Sequence, residues 1–160
     1  MKRSLRAISA ALCALLLLGL LAACGSGEAE VPVSQITSAV SAALGKSDSM
    51  AASDGMFLGL TGTEASELGE YEILVNRYGA NIDEYGVFKL KNAKEAKSFQ
   101  TTAEAYLARR LEVWMEEYMP EEKPKLERAE VRVNGKYVIY CILSDADKTA
   151  AFDAFASQLG

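Results

Sequence analysis

Apolar and polar positions follow one another along this chain with a period that changes several times, and each change predicts an element. Residues 7–23 carry no charge, with Leu15 to Leu18 at their apolar centre. A polar stretch runs to Val31-Pro32, a dipeptide that favours extended backbone. Val33, Ile36, Val40, Ala43 and Leu44 then recur at three- and four-residue steps, which predicts a helix stopped by Gly45. Residues 46–55, rich in Ser, Asp and Ala, read as a mobile loop. Residues 56–60 are a short apolar run, and Thr63 or Glu64 begins a single helical turn ending at Leu68.

The period then drops to two. Residues 70–75 and 85–90 predict two strands, joined by a loop containing Gly79 and Asn81. Asn92 caps a long helix over residues 93–118, whose apolar stripe is Phe99, Ala103, Leu107, Leu111, Trp114 and Tyr118. Pro120 and Pro124 end it and open an acidic loop. Residues 128–133 alternate into a strand, and residues 137–143 form a fully apolar, central one. Asn134-Gly135 between them predicts a tight hairpin, because both central residues of a type I′ turn take positive φ. Ser144 caps a last helix with Asp145 and Asp147 in its first turn, where the helix dipole favours carboxylates. Phe152, Phe155 and Leu159 supply its buried face. The order helix, hairpin, helix, hairpin, helix contains two β-β-α units. It predicts an α+β fold, a two-layer sandwich with a four-stranded antiparallel sheet from two β-hairpins and helices on one face.

The apolar run near the N-terminus follows Lys2, Arg3 and Arg6. As a helix of 17 residues it would span about 25 Å, short of the roughly 30 Å hydrocarbon core, so it reads as a signal peptide. It ends in Leu21-Ala22-Ala23-Cys24, which looks like a lipobox cleaved between Ala23 and Cys24. The Cys24 thiol then receives a diacylglyceryl group, and two acyl chains anchor stably at about 0.8 kcal/mol per buried CH₂. The predicted organisation is therefore a cleaved leader (1–23), a lipidated tether (24–32) and one α+β domain (33–160). Within that domain, residues 33–62 form the N-terminal helix and mobile loop and residues 63–160 the core. The expected address is the extracytoplasmic face of the cell membrane.

Charge sharpens this picture. The 160 residues hold 17 bases and 22 acids; losing the three leader bases leaves 14 against 22, a net charge of −8. Such a domain has no electrostatic footprint for nucleic acid. It is also repelled by anionic lipid, so its membrane partner is reached through the lipid on Cys24. Cys13 leaves with the leader and Cys24 is modified, which leaves Cys141 alone as a small buried hydrophobe with no internal disulfide.

The chain contains no histidine, which removes the commonest general base, most zinc sites and the usual Ser-His or Cys-His pairs. Ser98 and Lys97 are helix neighbours that do not face each other. Carboxylates cluster at Glu116-Glu117, Glu121-Glu122 and Asp145/Asp147, which read as a solvated helix end, a polar loop and a helix first turn. The last lacks the twelve-residue ligand loop of a calcium site and its glycine. Gly55, Gly59 and Gly62 lack the strand-to-helix context and downstream Lys of a phosphate cradle. No cofactor or metal is expected. Tyr106, Trp114, Tyr118, Tyr137 and Tyr140 read as core and core margin ahead of a ligand groove.

Several of these segments resemble one family. They are the leader with Leu21-Ala-Ala-Cys24, Asn81-Ile-Asp-Glu-Tyr-Gly-Val-Phe88, and the long helix running into Trp114 and Tyr118-Met-Pro120. Asn134-Gly-Lys-Tyr137 and Ser144-Asp-Ala-Asp147 complete the set. From about Thr61 to Leu159 the chain resembles an uncharacterised family of small bacterial lipoproteins common in clostridia-like Firmicutes, domain of unknown function 4358. It departs at Thr61-Gly-Thr-Glu-Ala65, where such proteins often have a proline-containing acidic turn. The resemblance implies a cell-surface lipoprotein and no particular chemistry. The expected function is a non-catalytic binding or adaptor domain with an envelope protein partner. A small-ligand carrier or sensor is the first alternative, and an envelope hydrolase using Glu117 and Asp145 the second.

Overall fold

Val33, Ile36 and Val40 share one side of the first helix, α1 (Val33–Leu44), and all three are buried. Gly45 closes that helix at φ 63°, the left-handed conformation its sequence position anticipates. The computed structural model describes residues 30–115 and 117–160; the predicted leader, Cys24 and Glu116 lie outside them. After α1 come β1 (Met50–Ala52), α2 (Gly55–Thr61) and a 3₁₀ turn (Ala65–Glu67). Strands β2 (Glu70–Asn76) and β3 (Glu84–Lys89) precede the long α3 (Ala93–Glu112). A second 3₁₀ turn (Pro120–Glu122) leads into α4 (Lys123–Glu127), followed by β4 (Glu130–Asn134), β5 (Tyr137–Ile142) and α5 (Asp145–Leu159).

The fold is α+β, but the sheet has five strands where the pattern predicted four, in the order β1-β2-β3-β5-β4. Every pairing is antiparallel. The extra strand, β1, falls inside the stretch read as a mobile loop. Three residues without an alternating pattern carry no strand signal; pairing of Met50 to Ala52 with Leu74 to Asn76 makes it a strand.

The expectation of helices on one face is also corrected. One core joins Val33, Ile36 and Val40 of α1 and Phe152 and Phe155 of α5 to Tyr85, Val87, Ile139 and Cys141. A second core, on the opposite face, joins Phe57 of α2, Tyr106 and Leu107 of α3 and Leu126 of α4 to Phe88, Val138, Tyr140 and Ile142. Successive residues of β5 alternate between the two cores, so all six are buried. A strand apolar at every position needs cover on both faces.

Smaller departures follow from packing. Helix α3 ends at Glu112, short of the predicted Tyr118, and the chain turns so that Trp114 packs on the second core while Tyr118 stays exposed. The acidic loop contains α4, which buries Leu126. In the β4–β5 hairpin Asn134 pairs with Tyr137, so the loop is Gly135-Lys136. Positive φ falls on Gly135 alone (56°), as in a type II′ turn rather than the predicted I′. The caps are as expected: Asn92 accepts from the Glu95 amide and Ser144 from the Asp147 amide.

Register gives the domain two ends. At one, Lys89 lies opposite both Glu70 and Tyr137. Here the chain comes in: Val31 exchanges two 2.9 Å hydrogen bonds with the Tyr137 hydroxyl, and the Val33 amide donates to Glu70. At the other end Glu84 lies opposite Val75 and Ile142. The six residues of β3 separate the two by about 20 Å.

Candidate functional site

The second end gathers most of the polar chemistry. Glu84 opens the buried β3 and Asp83 immediately precedes it, with their side chains toward opposite faces. Each is almost fully buried. A buried carboxylate is costly unless paired and hydrogen-bonded, and both are. Glu84 accepts from the hydroxyls of Tyr106 at 2.5 Å and Tyr140 at 2.7 Å, and from Arg110 at 2.8 Å. Burial first, and then the Glu84 charge, push both tyrosines well above the ordinary phenol range, so they remain donors. Burial acts most strongly on Arg110 and opposes its charge, but Glu84, Tyr106 and Tyr140 together raise its pKa.

Asp83 lies between Lys46 (2.6 Å) and Lys125 (2.7 Å). Lys46 continues to Asp147 at 2.7 Å, and Lys125 to Glu122 at 2.7 Å. Glu122 in turn accepts from the Ile82 amide. Charges alternate in sign along this row, which ties the end of α1 to β3, α4 and α5. Burial acts against both lysines, but their carboxylate hydrogen bonds win and raise their pKa values. Asp147 shows the mirror effect: burial acts to raise it, and Lys46 and Ser144 hold it below the usual carboxylate value.

The structure thus brings Glu122 and Asp147 into one row through Asp83. The sequence had offered them as members of separate clusters. Asp145 pairs instead with Arg128 and Lys148, and Glu117 and Glu121 stand exposed. Asp83 and Glu84 were missed as polar groups of the core. The available signal was two consecutive carboxylates entering a buried strand, which must face both layers. Cys141 is buried, and burial pushes its thiol above the ordinary range. Tyr106, Tyr137 and Tyr140 are buried as expected of core residues. The Ser98 hydroxyl is taken by the Lys94 carbonyl. Gly55 and Gly59 lie in α2, and Gly62 caps it at φ 68°.

A cavity of about 270 Å³ opens at this end, lined by Ser53, Met56, Asn76, Asn81, Glu84 and Arg110 among others. The side-chain oxygens of Asn76 and Asn81 accept from the Tyr78 and Asp83 amides, which leaves their NH₂ groups as donors. The large apolar side chains that the fold leaves exposed collect here too: Met56, Tyr78, Val113, Met115 and Tyr118 are 52–69% exposed. Met56 borders the cavity, Tyr78 sits in the β2–β3 loop, and the other three follow α3 beyond Arg110. Next to them Met119 takes φ 48°, which non-glycine residues rarely adopt. The Trp114 indole nitrogen is buried with no hydrogen-bond partner among the described residues.

No helix of the described residues is long and apolar enough to cross a membrane. No curated protein and no solved structure matches the chain. A family model does match, over residues 42–143, which include β1 to β5, both buried carboxylates and the exposed Val113, Met115 and Tyr118. The chain belongs to the family described as Domain of unknown function (DUF4358).

Proposed function

We propose that this chain is a lipid-anchored extracytoplasmic lipoprotein whose folded part is a non-catalytic binding or adaptor domain. The leader and the Leu21-Ala-Ala-Cys24 box support the anchor. The observation that carries the binding role is polarity. The chain enters the domain beside Tyr137, whereas Met56, Tyr78, Val113, Met115 and Tyr118 are exposed at the opposite end. Seven residue steps lead from Cys24 to Val31, at most about 25 Å of extended chain, and they reach the domain at its Tyr137 end. The buried carboxylates Asp83 and Glu84 are engaged with cations and hydroxyls, which supports a structural role for them.

A second reading, a small-ligand carrier or sensor, is favoured by the cavity with its Asn76 and Asn81 donors. The anchor is tested by expressing Cys24→Ala and fractionating cells. We expect the wild type to stay with the membrane and the variant to be released or left as unprocessed precursor. A processed variant that remains fully membrane-bound contradicts the anchor.

A further inference from the structure

We propose that the surface formed by Val113, Met115 and Tyr118 docks a basic, apolar segment of another envelope protein. This rests on the binding-domain reading above and names the chemistry of its partner. The three side chains are more than half exposed, and all lie beyond the end of α3 at Glu112. Trp114, between them, is turned inward onto the second core, and its ring lies 6.3 Å from that of Tyr118. The left-handed Met119 and Pro120 follow directly, and the Tyr118 amide donates to the Met115 carbonyl at 3.0 Å. This is a held apolar surface rather than the tip of a loose loop.

Its rim identifies the occupant. The bases at the end of α3 and along α4 are already engaged, Arg109 with Glu112, Arg110 with Glu84, Lys123 with Glu127 and Lys125 with Asp83, as is Arg128 just beyond with Asp145. Glu117 and Glu121 flank Tyr118 in sequence and are exposed, so the field beside the apolar side chains is negative. A second copy of this net-negative chain meets the surface with like charge, and an anionic membrane does the same. A segment with Lys or Arg interleaved among apolar residues satisfies both parts of the surface.

Trp114 is the sole tryptophan of the chain, which places an intrinsic reporter at the site. The test titrates the full lipidated protein in zwitterionic nanodiscs with a tryptophan-free amphipathic peptide of Leu, Ala and Lys. Its Glu-for-Lys counterpart, anionic vesicles and dilution of the protein itself are the comparisons. We expect saturable change in Trp114 fluorescence with the cationic peptide, at least about tenfold tighter than with the anionic one and weakened by salt. Met115→Ser with Tyr118→Ser weakens it about tenfold, both being exposed positions that leave the cores intact. Glu117→Lys with Glu121→Lys reverses the preference between peptides.

No response to the cationic peptide, equal response to both peptides, or indifference to these variants overturns the proposal. So does a change produced by vesicles or by self-association alone. The Cys24→Ala protein is titrated in parallel. If that variant stays on the membrane while peptide binding is intact, the anchor fails and the docking surface stands. Release of the variant with no peptide binding removes the docking surface alone.

Discussion

Glu84 is the residue on which the second core turns. It is a carboxylate placed where Phe88 and Tyr140 make an apolar layer, and it is held by two phenols and a guanidinium. Glu84→Leu keeps the volume but strands a buried arginine and two hydroxyls, and should cost about 3–5 kcal/mol in urea unfolding. Glu84→Gln keeps an acceptor for the tyrosines and should cost less. A leucine variant within about 1 kcal/mol of wild type would show that the network does not hold the core. Gly86, two residues on, has an equally local cause: a Cβ there would meet the Tyr140 ring at 2.5 Å. Residues of this kind were only half legible in the sequence. Cys141 as a small buried hydrophobe could be read from its apolar neighbours. The partners of Glu84 could not, because Tyr106 and Arg110 come from a helix whose facing relative to β3 is set by the sheet.

Among elements, those with a strong period were readable and those made by pairing were not. Asn92 and Ser144 marked helix starts because a side-chain oxygen there satisfies a free amide. Strand β1 and helix α2 have weak local signals, one being three residues long and the other carrying Gly55 and Gly59. The apolar run of β5 reads as central in the sequence, and burial at all six positions requires cover on both faces, which two layers do not supply. The row Asp147–Lys46–Asp83–Lys125–Glu122 is what joins the elements at this end, and it sets a pH dependence. Lys46 and Lys125 have raised pKa values, so their contribution is complete below their ordinary 10.5 and is lost as pH climbs through the raised values. Asp147 is lowered, so its contribution is present above its ordinary 3.8 and is lost as pH falls through the lowered value. The buried Tyr85, Tyr106 and Tyr140 weaken the fold at high pH with the same sign. Comparing urea midpoints of wild type and Lys46→Met from pH 3 to 11 isolates the lysine: the variant should show shallower loss on both limbs. Parallel curves would mean that the row carries no linkage.

The whole molecule is asymmetric along its strands. The tether joins it beside Tyr137, Glu70 and Lys89, and the buried carboxylates, the cavity and the exposed apolar side chains lie at the far end. The sequence pattern located Trp114 and Tyr118 as apolar, but read them as one continuous helix stripe. That Tyr118 is exposed while Trp114 is packed comes from the chain leaving the helix after Glu112. The most direct measurement of the account places a photo-crosslinking amino acid at Tyr118, or at Lys136 beside the tether, and irradiates intact cells. The account predicts a discrete protein adduct from position 118 and none from position 136. A protein adduct from position 136 with none from position 118 would contradict it, and would put the binding surface at the end where the chain enters the domain.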